Sequence, residues 1–209
     1  MVVTNLLLQF VDQTKQKKIL EIGAHEDSET IALAKHFQKV CSYYEFLKIP
    51  ERSEKNIELR KMPYLEVLSK LPAFDVILIE NEFHHFPDIW QMWTYDKLLT
   101  SQDLFLVEWD FTGNTDQYYL CFQNCRPLCQ ITREVLDKFI SKKIVRIEHQ
   151  AKGKYEEEIK SRTDMINYHK FLVPDHWRFG EADFLRKIEN QSYPLTLWEG
   201  FNFYHIKKL

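Results

Sequence analysis

The sequence predicts an α/β domain built on a doubly wound, mostly parallel sheet. Three observations lead there. Short, almost wholly apolar runs recur at Ile19–Ile22, Val76–Ile79 and Leu104–Glu108, the composition of strands buried on both faces. Gly23 breaks the first run where a strand turns into a helix, and Ile31, Ala32, Leu33, Ala34 and Phe37 then supply a wide apolar helix face. The chain has 209 residues and is 44% hydrophobic, enough for one core, so it reads as a single domain over 1–209.

The remaining elements follow in order. Residues 4–14 carry Leu6, Leu7, Phe10 and Val11 on one side and read as an opening helix. Ser28 is placed to cap the helix after Gly23. Val40–Tyr44 reads as the second strand, Pro50–Asn56 as a short helix start and Ile57–Arg60 as the third strand. A helix over Met62–Lys70 leads to the fourth strand, whose polar mouth is Glu80-Asn81-Glu82. Ile89–Leu99 fits a helix, and Leu104–Glu108 is the fifth strand. Thr132-Arg133-Glu134 has a capping pattern and opens a helix with Val135, Leu136, Phe139 and Ile140 on one face. Ile144–Ile147 and Phe201–Lys207 read as the last two strands. Between them, 151–200 reads as an insertion of two helices, Glu156–Phe171 and Gly180–Asn190, with a mobile polar break at Pro174. Trp177, Phe179 and Phe184 are expected to pack on the main domain, and Glu156-Glu157-Glu158 to form a solvated helix N-terminus.

Whole-chain properties narrow the function. A net charge of −3 leaves no electrostatic footprint for nucleic acid. No run approaches the ~20 apolar residues of a membrane span. Met1–Phe10 lacks the length and the basic start of a signal peptide, so a cytoplasmic protein with reduced thiols is expected. Cys121, Cys125 and Cys129 are spaced more widely than the tight pairs of zinc and iron–sulfur motifs. Pro127 is expected to interrupt any helix that would align them, so they read as free thiols and no metal is expected.

Glu45 lies 22 residues after Gly23, close to the spacing with which nucleotide folds grip a ribose. A dinucleotide fingerprint needs two further glycines, and His25 and Asp27 stand in their places. Glu26 and Asp27 would repel a pyrophosphate at the helix N-terminus, which disfavours NAD and FAD. A nucleoside without phosphates is compatible.

In these features the chain resembles the class I, Rossmann-like S-adenosylmethionine (SAM) methyltransferases. Glu21 and Gly23 match the first motif, acid-x-Gly-x-Gly-x-Gly, whose other glycines are replaced. Phe74, Asp75, Val76, His84, His85, Pro87 and Asp88 fit the fourth-strand motif in register. The helix from Thr132 and the strand after it are similar to the family's last pair, while Ser101-Gln102-Asp103 replaces its double glycine. The resemblance covers about 15–150 and the last ten residues. It implies a seven-stranded sheet with an antiparallel last strand, SAM as cofactor and a small-molecule or protein methyl acceptor. The implied cofactor-binding residues are Glu21, Gly23, Ala24, His25, Glu45, Phe46 and Glu80.

His84 and His85 are the catalytic candidates: one imidazole orients the acceptor or removes its proton, unless the pair is simply a satisfied helix start. Trp109, Phe111, Tyr118 and Tyr119 either wall a substrate pocket or pin the loop after the fifth strand. The alternative function is a methyltransferase-like fold that has lost catalysis and serves as a binding or scaffolding protein. The missing glycines and the acidic loop motivate it, although Glu26 and Asp27 favour a His25 ring turned out to solvent.

The ribose assignment is directly testable. A carboxylate accepting both hydroxyls makes charge-assisted bonds, so Glu45→Ala should weaken S-adenosylhomocysteine binding by about 2 kcal/mol, near thirtyfold, in a calorimetric titration. Unchanged affinity in a folded variant removes Glu45 from the site.

Overall fold

The computed structural model describes residues 2–23, 27–43, 54–60, 64–118, 120–172 and 177–209. The strands are β1 (Lys18–Ile22), β2 (Lys39–Tyr43), β3 (Ile57–Arg60), β4 (Val76–Glu80), β5 (Asp103–Trp109), β6 (Val145–Ile159) and β7 (Leu195–Lys208). The helices are α1 (Val2–Leu7), α2 (Asp27–Ala34), α3 (Tyr64–Leu68), α4 (Asp88–Lys97), α5 (Leu120–Ser141), α6 (Arg162–Leu172) and α7 (Trp177–Lys187). The strands form one sheet in the order β3-β2-β1-β4-β5-β7-β6. The first five pair in parallel, and β7 runs antiparallel to both of its neighbours. This is the doubly wound, mostly parallel seven-stranded sheet with an antiparallel last strand that was expected.

The apolar runs in the centre of the sheet alternate between two cores. Leu20, Ile22, Ile77, Ile79, Leu104 and Leu106 pack with Tyr95 of α4 and with Leu136 and Phe139 of α5. Ile19, Val76, Leu78, Phe105 and Val107 pack on the other face with Val3, Leu7, Leu33 and Phe37. Burying each such side chain contributes about 1.5–3 kcal/mol, so a strand filled on both faces holds its register firmly.

Some boundaries differ from the sequence reading. The opening helix is short, α1, although Val11 beyond it is buried. Ser28 lies inside the first turn of α2 rather than capping it. The helix expected to start at Thr132 instead starts at Leu120, and Pro127 lies inside it. A proline in a helix interior costs about 3 kcal/mol. Here the turns beyond it offset that cost by burying Val135, Leu136 and Phe139. Thr132 is tolerated mid-helix because its hydroxyl donates back to the Leu128 carbonyl (3.2 Å) and accepts from Gln91 Nε2 (3.1 Å).

The largest correction concerns the insertion. Glu156-Glu157-Glu158 is not a helix N-terminus; the three residues lie in β6, opposite Trp198, Leu197 and Thr196 of β7. β6 and β7 pair from Val145↔Lys208 to Ile159↔Leu195, whereas β5 pairs with β7 only as far as Trp109↔Phe201. The hairpin therefore runs past the carboxyl edge of the parallel strands, and the added helices α6 and α7 occupy its tip. Phe184 packs there with Ile159, Met165, Ile188, Leu197 and Tyr118, in a small core separate from the two that flank the central strands. The Trp177 and Phe179 side chains, the Pro174 break and residues 50–53 of the helix start expected over Pro50–Asn56 lie outside the described residues, and 54–56 are not helical.

At Gly23 the backbone has φ +89°, and an added Cβ would lie 2.1 Å from the Glu80 carbonyl oxygen. Glycine is therefore required by the fold, because the corner after β1 is pressed onto the end of β4. Gly23→Ala combines left-handed strain with overpacking and should cost about 3 kcal/mol, lowering the thermal midpoint by about 6–12 °C. An unchanged midpoint would contradict the close approach.

Candidate functional site

Parallel α/β sheets present ligands at the carboxyl ends of their strands, and here those ends carry two chemically different clusters. The first surrounds Gly23. Glu21 is buried and accepts a hydrogen bond from Thr30 Oγ1 (2.7 Å). Glu80, at the end of β4, accepts from the Tyr155 hydroxyl (2.5 Å), which reaches in from the β6–β7 hairpin. Glu82 is also buried, and its Cγ lies 2.4 Å from the Cβ position an alanine would occupy at Gly23. Burial pushes the Glu80 carboxyl up to about 8, against the opposing effect of the Tyr155 bond and reinforced by Glu29 and Glu21. This concentration of carboxyl groups suits a ligand with positive charge and no phosphate. Ala24, His25, Glu45 and Phe46 fall outside the described residues.

The second cluster lies where β4 and β5 meet α5. Phe83–His85 forms a single 3-10 turn after β4. His84 is buried, and both its backbone and its ring bind Glu108: the amide donates to Oε1 (3.0 Å) and Nδ1 lies 2.7 Å from Oε2. Burial opposes charge on this ring, but the neighbouring Cys125, Cys129 and Glu108 more than compensate, and the His84 pKa is raised to about 12. His84 is buried against Glu108, and His85, next to it in the same turn, is exposed. Its ring centroid lies 4.1 Å from that of His84.

A cavity of about 460 Å³ opens beside this cluster, between β5, α5 and the hairpin. Trp109 and Phe111 line it, together with Glu108, Arg126, Arg133 and Lys152. Phe111 has φ +55°, and the Arg126 guanidinium stands 5.3 Å from its ring centre. Trp109 packs edge-on to Tyr155 at 5.3 Å. Tyr118 does not line the cavity; it is buried in the small core at the hairpin tip. Tyr119 is outside the described residues. Sequence reasoning missed Tyr155, Arg126 and Arg133 as site residues. Tyr155 stood beside the acidic run taken for a helix start, Arg126 stood before a helix expected to begin only at Thr132, and Arg133 was read only as part of that helix's capping pattern.

No family model matches the sequence, and no curated protein sequence does. Solved structures do match in fold. The YcgJ protein of Bacillus subtilis aligns over 100% of this chain and 99% of its own, with a TM-score of 0.60 and 13% identity. A SAM-dependent methyltransferase from Anabaena variabilis aligns over 100% of this chain and 84% of its own (TM-score 0.57, 13% identity). One from Archaeoglobus fulgidus aligns over 99% and 93% (TM-score 0.53, 14% identity). The chain has the Rossmann-like fold of the SAM-dependent methyltransferases, and at these identities the likeness is one of fold. No helix among the described residues is long and apolar enough to cross a membrane.

The raised Glu80 carboxyl has a measurable consequence. The folded chain keeps that proton up to about pH 8, while the unfolded chain releases it near pH 4.3. The native state therefore binds more protons between those values, and stability falls as pH rises through that window. Glu80→Gln keeps an acceptor for Tyr155 and removes the titration. Urea unfolding should show the variant gaining stability over the natural chain on going from pH 5 to pH 8. An equal difference at both pH values would contradict a neutral Glu80.

Proposed function

We propose that the chain is a SAM-dependent methyltransferase acting on a small molecule that carries an acidic group. The observation that carries this reading is the division of the sheet's carboxyl edge into a carboxyl-rich corner at Gly23 and a cavity at Glu108 that Arg126, Arg133 and Lys152 line beside Asp110. SAM supplies an electrophilic methyl on a sulfonium. Glu21, Glu80 and Glu82 would provide the anionic surroundings for its charged end, and Glu45 the ribose contact. A neutral Glu80 spares the corner a cluster of buried like charges.

The cavity supports the acceptor class. Its volume is in the range of small-molecule sites. Trp109 and Phe111 offer apolar walls, and Arg126, with Arg133 behind it already bonded to the Tyr204 hydroxyl and paired with Asp137, offers donors for a carboxylate or phosphate. Glu108 fixes His84, and His84 fixes the turn that presents His85. Methyl transfer from a sulfonium is mainly a matter of alignment and exclusion of water, which such a rigid mouth provides.

Calorimetric titration of the full chain tests the reading. S-adenosylhomocysteine should bind at one site with micromolar affinity, and ATP and NAD should show no heat at the same concentrations. Binding of ATP or NAD in place of the nucleoside thioether would overturn the charge argument. Absence of all binding would favour the non-catalytic reading of the same fold.

A further inference from the structure

We propose that His84, His85, Cys125 and Cys129 bind one divalent zinc-type ion at the junction of β4, β5 and α5, with Glu108 holding His84 from behind. The ligand atoms of His84, His85 and Cys125 lie within 4.8 Å of one another, and so do those of His84, Glu108 and Cys129. The two triads share His84. In a tetrahedral zinc site, imidazole nitrogens and thiolate sulfurs sit about 3.5 Å apart. Cys129 stands one helical turn beyond Cys125, and His84 joins the two triads into one donor set.

The arrangement depends on Pro127 being inside α5. Because the helix continues through it, Cys125 and Cys129 stand one turn apart on the same face. Both thiols are half-buried and free of disulfides.

The second observation is the state of the His84 ring. It is buried; Nδ1 is held 2.7 Å from Glu108 Oε2, and Nε2 is buried with no hydrogen-bond partner. Leaving a buried ring nitrogen unmatched costs about 1–3 kcal/mol, so the position needs an explanation. A carboxylate on one nitrogen with the other left open is the support that metal-binding histidines receive. On binding, the metal replaces the proton on Nε2 and those on the two thiols, which pass to solvent, and the Nδ1–H bond to Glu108 is kept. Two imidazoles and two thiolates select zinc-like ions over magnesium or calcium. The bound ion would clamp α5 to the turn after β4. This assignment does not rest on methyl transfer, since a chain that binds no nucleoside would hold the metal equally well.

The test uses the full chain, purified under reductant and stripped with a chelator, then titrated with cobalt(II) and with zinc. The expected result is one cobalt per chain, with intense visible bands and a near-ultraviolet thiolate-to-cobalt band, displaced by one zinc. The double variant Cys125→Ser/Cys129→Ser should lose the thiolate band, while Cys41→Ser keeps it. His85→Ala removes an exposed side chain, leaves the fold intact and should weaken zinc binding by at least about tenfold. If the double variant fails to fold by circular dichroism, the His85→Ala measurement decides. No thiolate band in the natural chain, a band surviving the double substitution, or unchanged zinc affinity in His85→Ala overturns the proposal.

Discussion

One carboxylate organises the carboxyl edge of this sheet. Glu108 leaves the end of β5 and accepts from the His84 amide and ring, and Cys129 Sγ lies 3.5 Å from it. It thereby ties together three elements far apart in sequence: β5, the turn after β4 and α5. An acidic side chain this deeply buried is tolerable only with such partners. Removing it would strand a buried imidazole and release the turn that carries His85. The cavity would lose a wall in the same step. A substitution at Glu108 is thus expected to act on the whole mouth, whatever chemistry the mouth supports.

The hairpin of β6 and β7 completes the edge from the other direction. Its Tyr155 reaches the Glu80 carboxyl, and Tyr155 itself packs against Trp109 and Phe201. Gly153 permits this, because a Cβ there would lie 2.2 Å from the Phe201 ring. Carboxyl groups gather around Gly23, while the cavity at Phe111 carries Arg126, Arg133 and Lys152 beside Glu108 and Asp110, with the Trp109 and Tyr155 rings between the two.

The central strands were legible in the sequence because they are buried on both faces, so each reads as a continuous apolar run. Gly23 was legible for a related reason: its conformation and its contact with Glu80 leave no alternative residue. The hairpin arm was not legible. Residues 151–156 alternate half-buried and exposed positions, but the inward ones are only Ala151, Gly153 and Tyr155, too weak an apolar signal to mark a strand, and Glu156-Glu157-Glu158 looked like a helix start. The helix through Pro127 was hidden by a local rule that tertiary packing overrides. That one misjudgment also concealed the meeting of Cys125 and Cys129 with His84. Histidines 84 and 85 were found by motif, but their unequal burial, which separates their roles, depends on Glu108 arriving from a strand 24 residues away.

The account stands or falls on what occupies the corner at Gly23. A crystal structure grown with S-adenosylhomocysteine reads that directly. The account predicts density for the nucleoside between the ends of β1 and β4, with the ribose hydroxyls on Glu45 and the amino-acid end among Glu21, Glu80 and Glu82. A corner closed by the Glu82 side chain at saturating ligand, with no nucleoside bound, would contradict it.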